Sequence, residues 1–353
     1  MATAIPKGST VLVTGVNGYI ASHLADQLLS AGYNVRGTVR NASRTQWIRD
    51  LFDEKYGPGR FETVVVPKVD AEGAWDEAVK GVSGIAHVAT NVSLSSNPHE
   101  VIPETVSGTL SLLRAASLTK GDTPLRFVYT SSSSTTGFIV HNKPRVITTS
   151  TWNDEAPELA WAPPPYTDQK KWAVYATSKM ESEKACFKFA KDLDAEIKAG
   201  TAGQKRRLVV NSVLPCVNFG PSLHDTQSSE TLVWMRRLVK GDTGFIKDAV
   251  PPQWFVDARD SARLHVAALT DPNVVSERIF AYSETFSWSR VLAILRRLYP
   301  DREWPEGPKD EPEDLSTVDA RNRSVELLRG MGREGFIGLE ESVKASADLI
   351  LHG

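Results

Sequence analysis

The sequence predicts an α/β chain: a doubly wound parallel sheet followed by a smaller, mostly helical C-terminal lobe. Three observations carry this expectation. Short β-branched runs alternate with longer segments of helical period. Those runs have the apolar content of strands covered on both faces. The small residues Gly15, Gly18 and Ala21 sit where the first apolar run gives way to the first helical segment. Strands are expected at 11–14, 34–39, 63–66, 84–88, 127–130 and 208–214, with helices at 19–30, 74–80, 104–118 and 172–193 repeating apolar residues at helix spacing. Strand and helix in alternation require crossover connections, hence parallel pairing. Past Pro215 the rhythm breaks into proline-bearing loops, a helix near 232–239 that carries Trp234, and helices near 291–298 and 325–328. WAPPPY, Trp161 to Tyr166, reads as loop punctuation.

At 353 residues, with 41% hydrophobic and 24% charged, the chain can bury one large core or a large and a small one. Its formal net charge of -2, with both signs mixed throughout, supplies no basic field for nucleic acid or a membrane surface. Cys186 and Cys216 form neither a metal clip nor a disulfide framework, which points to a reducing compartment and to no metal. MATAIPKGST lacks the apolar core of a signal peptide, and no run reaches the roughly 18 apolar residues of a membrane span. A cytoplasmic location is expected, and Asn41, Asn91 and Asn322 are read as chance matches to the glycosylation triplet.

VLVTGVNGYIASHL places a strand directly before a helix, the context in which a glycine motif is informative. Gly15 permits the tight turn, Gly18 lets a diphosphate approach the backbone, and Ala21 keeps the helix close to the sheet. A dinucleotide is the expected ligand, with Asn17, Tyr19 and Ile20 of the same turn beside it. An NAD site wants a carboxylate about 20 residues later. Here the second strand ends VRGTVR, with Arg44 close behind. Arg40 is therefore expected to bind the 2′-phosphate of NADP through charge-assisted hydrogen bonds, with Arg44 nearby.

RFVYTSSSSTTG, Arg126 to Gly137, runs from a strand into a cluster of hydroxyls, and YATSK, Tyr175 to Lys179, follows. A spacing of four puts phenol and ammonium on one helix face. At about 5 Å and an effective dielectric near 20, their attraction is roughly 3 kcal/mol, enough to lower the phenol by about two pKa units. YTDQK, Tyr166 to Lys170, has the same spacing, but it follows three prolines and is read as a decoy.

TGVNGYIA, the TSSS cluster and YATSK together resemble the extended short-chain dehydrogenases/reductases over nearly the whole chain. QLLSAGYNVRGTVR, AHVAT, RFVYTSS and PPQWFVDARDSARLHV look most like the fungal and yeast NADPH-dependent carbonyl (aldehyde) reductases, relatives of dihydroflavonol reductases. The resemblance implies a Rossmann domain at 1–214 with a return segment at about 253–272, and a substrate lobe at 215–252 and 273–353. It implies that Ser132 hydrogen-bonds the substrate carbonyl, with Ser133 its neighbour and rival, that Tyr175 donates the proton, and that Lys179 holds the nicotinamide ribose and lowers the phenol. It sets Ala89 and Thr90 near that ribose, and Pro215 to Val217 against the carboxamide end of the nicotinamide. Thr105 stands where many members carry an Asn. Lys68 stands where relatives commonly carry an adenine-facing Asp, so Lys68, Val69 and the offset Asp70 are the candidates there.

Phe138, Trp234 and Trp254 are expected as walls of a mostly apolar substrate pocket. The implied activity is NADPH-dependent reduction of a small ketone or aldehyde, such as an aryl ketone or keto ester, by a monomer or homodimer. Two other readings stand beside it: a nucleotide-sugar epimerase or dehydratase on the same scaffold, and a non-catalytic NADP-sensing protein.

Overall fold

The computed structural model describes residues 3–91 and 93–352, apart from the side chains of residues 44, 169 and 248. The first half of the chain runs β1 (Thr10–Val13), α1 (Tyr19–Ser30), β2 (Asn34–Val39), α2 (Gln46–Tyr56), β3 (Phe61–Val65), β4 (Val82–His87), α3 (Pro98–Ser117) and β5 (Leu125–Thr130). Next come β6 (Arg145–Ile147), α4 (Glu155–Trp161), α5 (Lys171–Lys198), β7 (Leu208–Pro215), β8 (Val217–Phe219), α6 (Glu230–Val239), β9 (Gln253–Asp257) and α7 (Ala258–Thr270). The chain closes with β10 (Arg278–Ala281), β11 (Glu284–Phe286), α8 (Trp288–Leu298), β12 (Ser316–Val318), α9 (Arg321–Gly330) and α10 (Leu339–His352).

Seven strands form the expected parallel sheet, in the order β3-β2-β1-β4-β5-β7-β10. The order reverses direction between β1 and β4, so a crevice opens at their carboxyl ends. Helices cover both faces, which is why the central strands carry no polar alternation: every residue of β5 and β7 is buried. One core packs α1 and α7 on the sheet through Leu24, Leu28, Leu264 and Leu269. The other packs α3 and α5 through Leu112, Leu113, Cys186 and Leu193. A separate cluster of Phe219, Phe255, Phe286 and Trp288 holds the lobe, joining the small sheet β11-β9-β8 to α6, α8 and α10.

The apolar spacing over 74–80 predicts a helix, but the segment is a run of turns. Trp75, Ala78 and Val79 are buried as their spacing requires. The Trp75 indole donates to the Val69 carbonyl at 2.9 Å, and the bonds from Ala74 N to Ala71 O and from Asp76 N to Gly73 O are of the tight three-residue kind. Side-chain burial thus outweighs helix propagation in so short a piece. Several elements carried no prior expectation, among them α2, and β10, whose four residues RIFA extend the main sheet beside β7.

The crevice depends on close backbone approach. A β-carbon at Gly37 on β2 would lie 2.3 Å from Cγ1 of Val16, the residue that follows Gly15 in the turn. Gly37→Ala should therefore destabilise the fold by about 1–3 kcal/mol, read as a lower denaturant midpoint with unchanged slope. An unchanged midpoint would mean that the turn is not pressed against β2.

Candidate active site

Gly15 has φ of +65°, and a β-carbon there would meet the β-carbon of Ala89 at 3.0 Å. Gly18 N donates to Gly15 O at 2.9 Å, and Gly18 caps α1 without a side chain. The first amides of α1 therefore face the groove unshielded, the arrangement that suits an anion. The Thr14 hydroxyl accepts from Val88 N and Ala89 N, each at 2.9 Å, and lies 3.0 Å from Nδ1 of His87. This stitches the ends of β1 and β4 together. Burial pushes His87 down to about 3, so it is a neutral part of the seam.

From this turn a continuous groove of about 1880 Å³ runs across the ends of the strands. Drug-sized pockets occupy roughly 300–1,000 Å³, so there is room for a dinucleotide and a second molecule. Thr90 Oγ1 and Asn218 Oδ1, both on residues of its wall, are buried without a hydrogen-bond partner among the described residues. Buried polar atoms normally find partners, so these two fit a polar ligand such as a dinucleotide.

The groove brings together most of the expected residues. Gly15, Asn17, Gly18, Tyr19, Ile20, Arg40, Val69, Ala89 and Thr90 line its nucleotide half. Arg40 is exposed at the end of β2, whereas Arg36 is held by Glu62 and the carbonyls of Ala78 and Lys80. Lys68 and Asp70 pair with each other at 3.7 Å and do not belong to the wall. The side chain of Arg44 lies outside the described residues. Pro215 ends β7 without lining the groove, whereas Val217 lines it.

Ser132, Ser133 and Tyr175 line the middle. Ser132 leaves the end of β5 in extended conformation, and its hydroxyl accepts from Ser134 N at 3.2 Å. Tyr175 and Lys179 share a face of α5, but Lys179 lies behind the wall, 2% exposed, and donates to the Thr130 carbonyl at 2.7 Å. The expected lowering of the phenol is not found. Burial raises Tyr175 above the ordinary phenol value, hydrogen bonding to Ser132 opposes that, and Glu230 adds to it. Desolvation outweighs the pairwise charge interaction. Burial also pushes Lys179 down to about 7. Tyr166 is outside the groove, with the Lys170 ammonium 4.5 Å above its ring.

Phe138, Trp234 and Trp254 line the other end of the groove, together with Trp172 and Tyr282. The Trp254 indole is fixed by Ser316 Oγ at 3.0 Å, and its ring meets Tyr282 edge-on. Tyr282, Trp172, Glu230 and Asn218 were not anticipated. They come from the lobe or from helix starts where no motif marks them. The loop between β8 and α6 also straps over α1. Tyr19 OH donates to Gly220 O at 2.7 Å, Gln227 Nε2 donates to Ser22 Oγ at 2.8 Å, and His224 stacks on Trp47 at 4.9 Å. Among the described residues no helix is long and apolar enough to cross a membrane, and no group of three or more His, Cys, Asp or Glu is placed to hold a metal.

The pattern of the NAD dependent epimerase/dehydratase family matches residues 11–281. Aldehyde reductase 2 of Sporidiobolus salmonicolor is 40% identical over 345 residues, covering 96% of this chain and 95% of its own length. Ketoreductase adrE of Penicillium roqueforti is 36% identical over 347 residues, covering 97% of this chain and 96% of its own. Among solved structures, Gre2 from Candida albicans in complex with NADPH matches with a TM-score of 0.76 at 26% identity, covering 98% of this chain and 99% of that one.

Burial makes a checkable statement about Tyr175. In the unliganded chain, the phenolate absorbance lost in Tyr175→Phe should be one that develops above the ordinary phenol value of about 10. A lost step about one pH unit or more below that value would contradict the dominance of desolvation.

Proposed function

The chain belongs to the NAD dependent epimerase/dehydratase family, and from that premise we propose that it is an NADPH-dependent carbonyl reductase converting a ketone or aldehyde to a chiral alcohol. The observation that carries this reading is the single groove in which a glycine turn, an arginine at the ribose end, a serine and a phenol follow one another. Bound NADPH supplies the hydride.

The remaining chemistry belongs to the chain's own side chains. Arg40 binds the 2′-phosphate, the amides at the start of α1 hold the diphosphate, and the unpaired Thr90 hydroxyl serves the ribose side. Ser132 and Tyr175 converge on the carbonyl oxygen. A reductase needs its phenol protonated when the substrate arrives, and the raised value of Tyr175 keeps it so at neutral pH. As negative charge develops on the oxygen, the phenol gives up its proton while Ser132 keeps its hydrogen bond. Lys179, whose ammonium is held on the Thr130 carbonyl behind the wall rather than in the groove, stabilises the resulting phenolate. Phe138, Trp172, Trp234, Trp254 and Tyr282 surround the rest of the substrate. Such walls suit aryl ketones, keto esters and hydrophobic aldehydes.

Arg40 and the paired Tyr175 and Lys179 favour this reading over an NAD-retaining epimerase and over a non-catalytic sensor. The reductase is proposed to act in the cytoplasm as a monomer or homodimer, with residues 1–214 and about 253–272 serving the nucleotide and the rest serving the substrate.

Arg40→Asp should weaken NADPH by about tenfold to a hundredfold and NADH much less, measured by binding titration; equal loss for both coenzymes would refute the phosphate assignment. Tyr175→Phe should lower turnover on a panel of ketones and aldehydes by a factor of about 10² to 10⁴ while NADPH still binds. Full turnover in that variant together with an inactive Tyr166→Phe would transfer the role to the other tyrosine.

A further inference from the structure

Four residues beyond Lys179 on α5, Glu183 is buried completely, yet its carboxylate is one of the most heavily bonded groups in the protein. It accepts from Ser131 Oγ at 2.6 Å, Ser212 Oγ at 2.7 Å, Arg278 Nε at 2.9 Å and Thr135 Oγ1 at 3.3 Å. Arg278 is equally occupied. It donates to the carbonyls of Thr149 and Thr151, each at 2.8 Å, and lies 3.7 Å over the ring of Trp152. A buried ion pair adds little to stability compared with apolar residues of the same shape. Its location suggests a different use. Ser131 precedes the turn that begins at Ser132 and Thr135 lies within it, its single hydroxyl proton shared between Glu183 and the Ser132 carbonyl at 2.9 Å. Lys179 holds the same strand end through Thr130.

We propose that Glu183, steadied by Arg278, is a positioning residue of the reductase reaction: it fixes the strand end that carries Ser132 and keeps Lys179 in its ammonium form. This rests on the role given to Lys179 above. The groups facing Lys179 are Glu183 and Cys186 from α5, the Tyr129 ring at 5.2 Å and the Thr130 carbonyl from β5, His87 from β4 and His265 from α7. Burial holds His87 down to about 3 and His265 down to about 4, and pushes the Cys186 thiol and Tyr129 phenol up, so all four are neutral near pH 7. Glu183 is the anion of this set, and its charge opposes the loss of the Lys179 proton.

The test is the pH dependence of turnover in the full-length chain with saturating NADPH. Turnover falls as pH rises through the value at which Lys179 loses its proton. Glu183→Gln removes the charge and keeps the shape, so this alkaline limb should move down by about one pH unit, giving a loss of up to about tenfold above the limb and a smaller loss below it. Arg278→Met leaves the carboxylate without its counter-cation, so the limb should move up. The second variant decides the matter if the first does not fold. A limb that stays in place in the folded variants, with turnover reduced equally at every pH, would make the pair purely structural and overturn the proposal. Tyr175→Phe measured alongside separates the two levels: if it is fully active, the reductase reading itself fails, whereas an inactive Tyr175→Phe with unmoved limbs defeats only the role of Glu183.

Discussion

The hydrogen bond from Lys179 Nζ to the Thr130 carbonyl, 2.7 Å long and buried, is the constraint on which the site depends. It ties the helix bearing Tyr175 to the strand end from which Ser132 departs, so the two hydroxyls meet in one stretch of the groove. Burying an ammonium is costly, and the cost appears as a Lys179 pushed down to about 7. Packing of α5 through Cys186 and Leu193 into the core beneath the sheet offsets it. The chain spends core stability here to keep one polar contact in place, and sites of this kind recur where geometry matters more than stability.

Much of the architecture was legible because parallel strands covered on both faces leave an unmistakable apolar record. The strand expected at 34–39 is β2 itself, and the helix expected at 19–30 is α1 itself. The segment 74–80 defeated the same logic because three buried side chains are satisfied as well by turns as by helix, once Trp75 reaches the Val69 carbonyl.

The candidate site was legible to the extent that its residues are neighbours in sequence. The glycine turn and the Tyr175 and Lys179 pair each occupy a short segment, and Gly15, Arg40, Ser132 and Tyr175 all line the groove. Its electrostatics were not legible. A pairwise charge estimate takes no account of desolvation, which dominates at Tyr175 and reverses the expected sign. Nor were the contacts made by residues far apart in sequence: the bond from Tyr19 to Gly220 and the stack of Trp47 on His224 join the nucleotide half to the lobe, and although Tyr19 lies in the glycine motif, nothing in the motif marks its distant partner. The lobe's walls, Trp234, Trp254 and Tyr282 among them, are set by tertiary packing of this kind, which no short motif in the sequence records.

In the proposed reaction the groove seats a coenzyme with its reactive ring beside the phenol of Tyr175 and its adenosine phosphate beside Arg40. A crystal structure of the chain soaked with NADPH would show whether it does. The nicotinamide is expected between Tyr175 and Val217 and the 2′-phosphate against the Arg40 guanidinium. A nicotinamide bound away from Tyr175, or a coenzyme lying outside the groove, would contradict that placement.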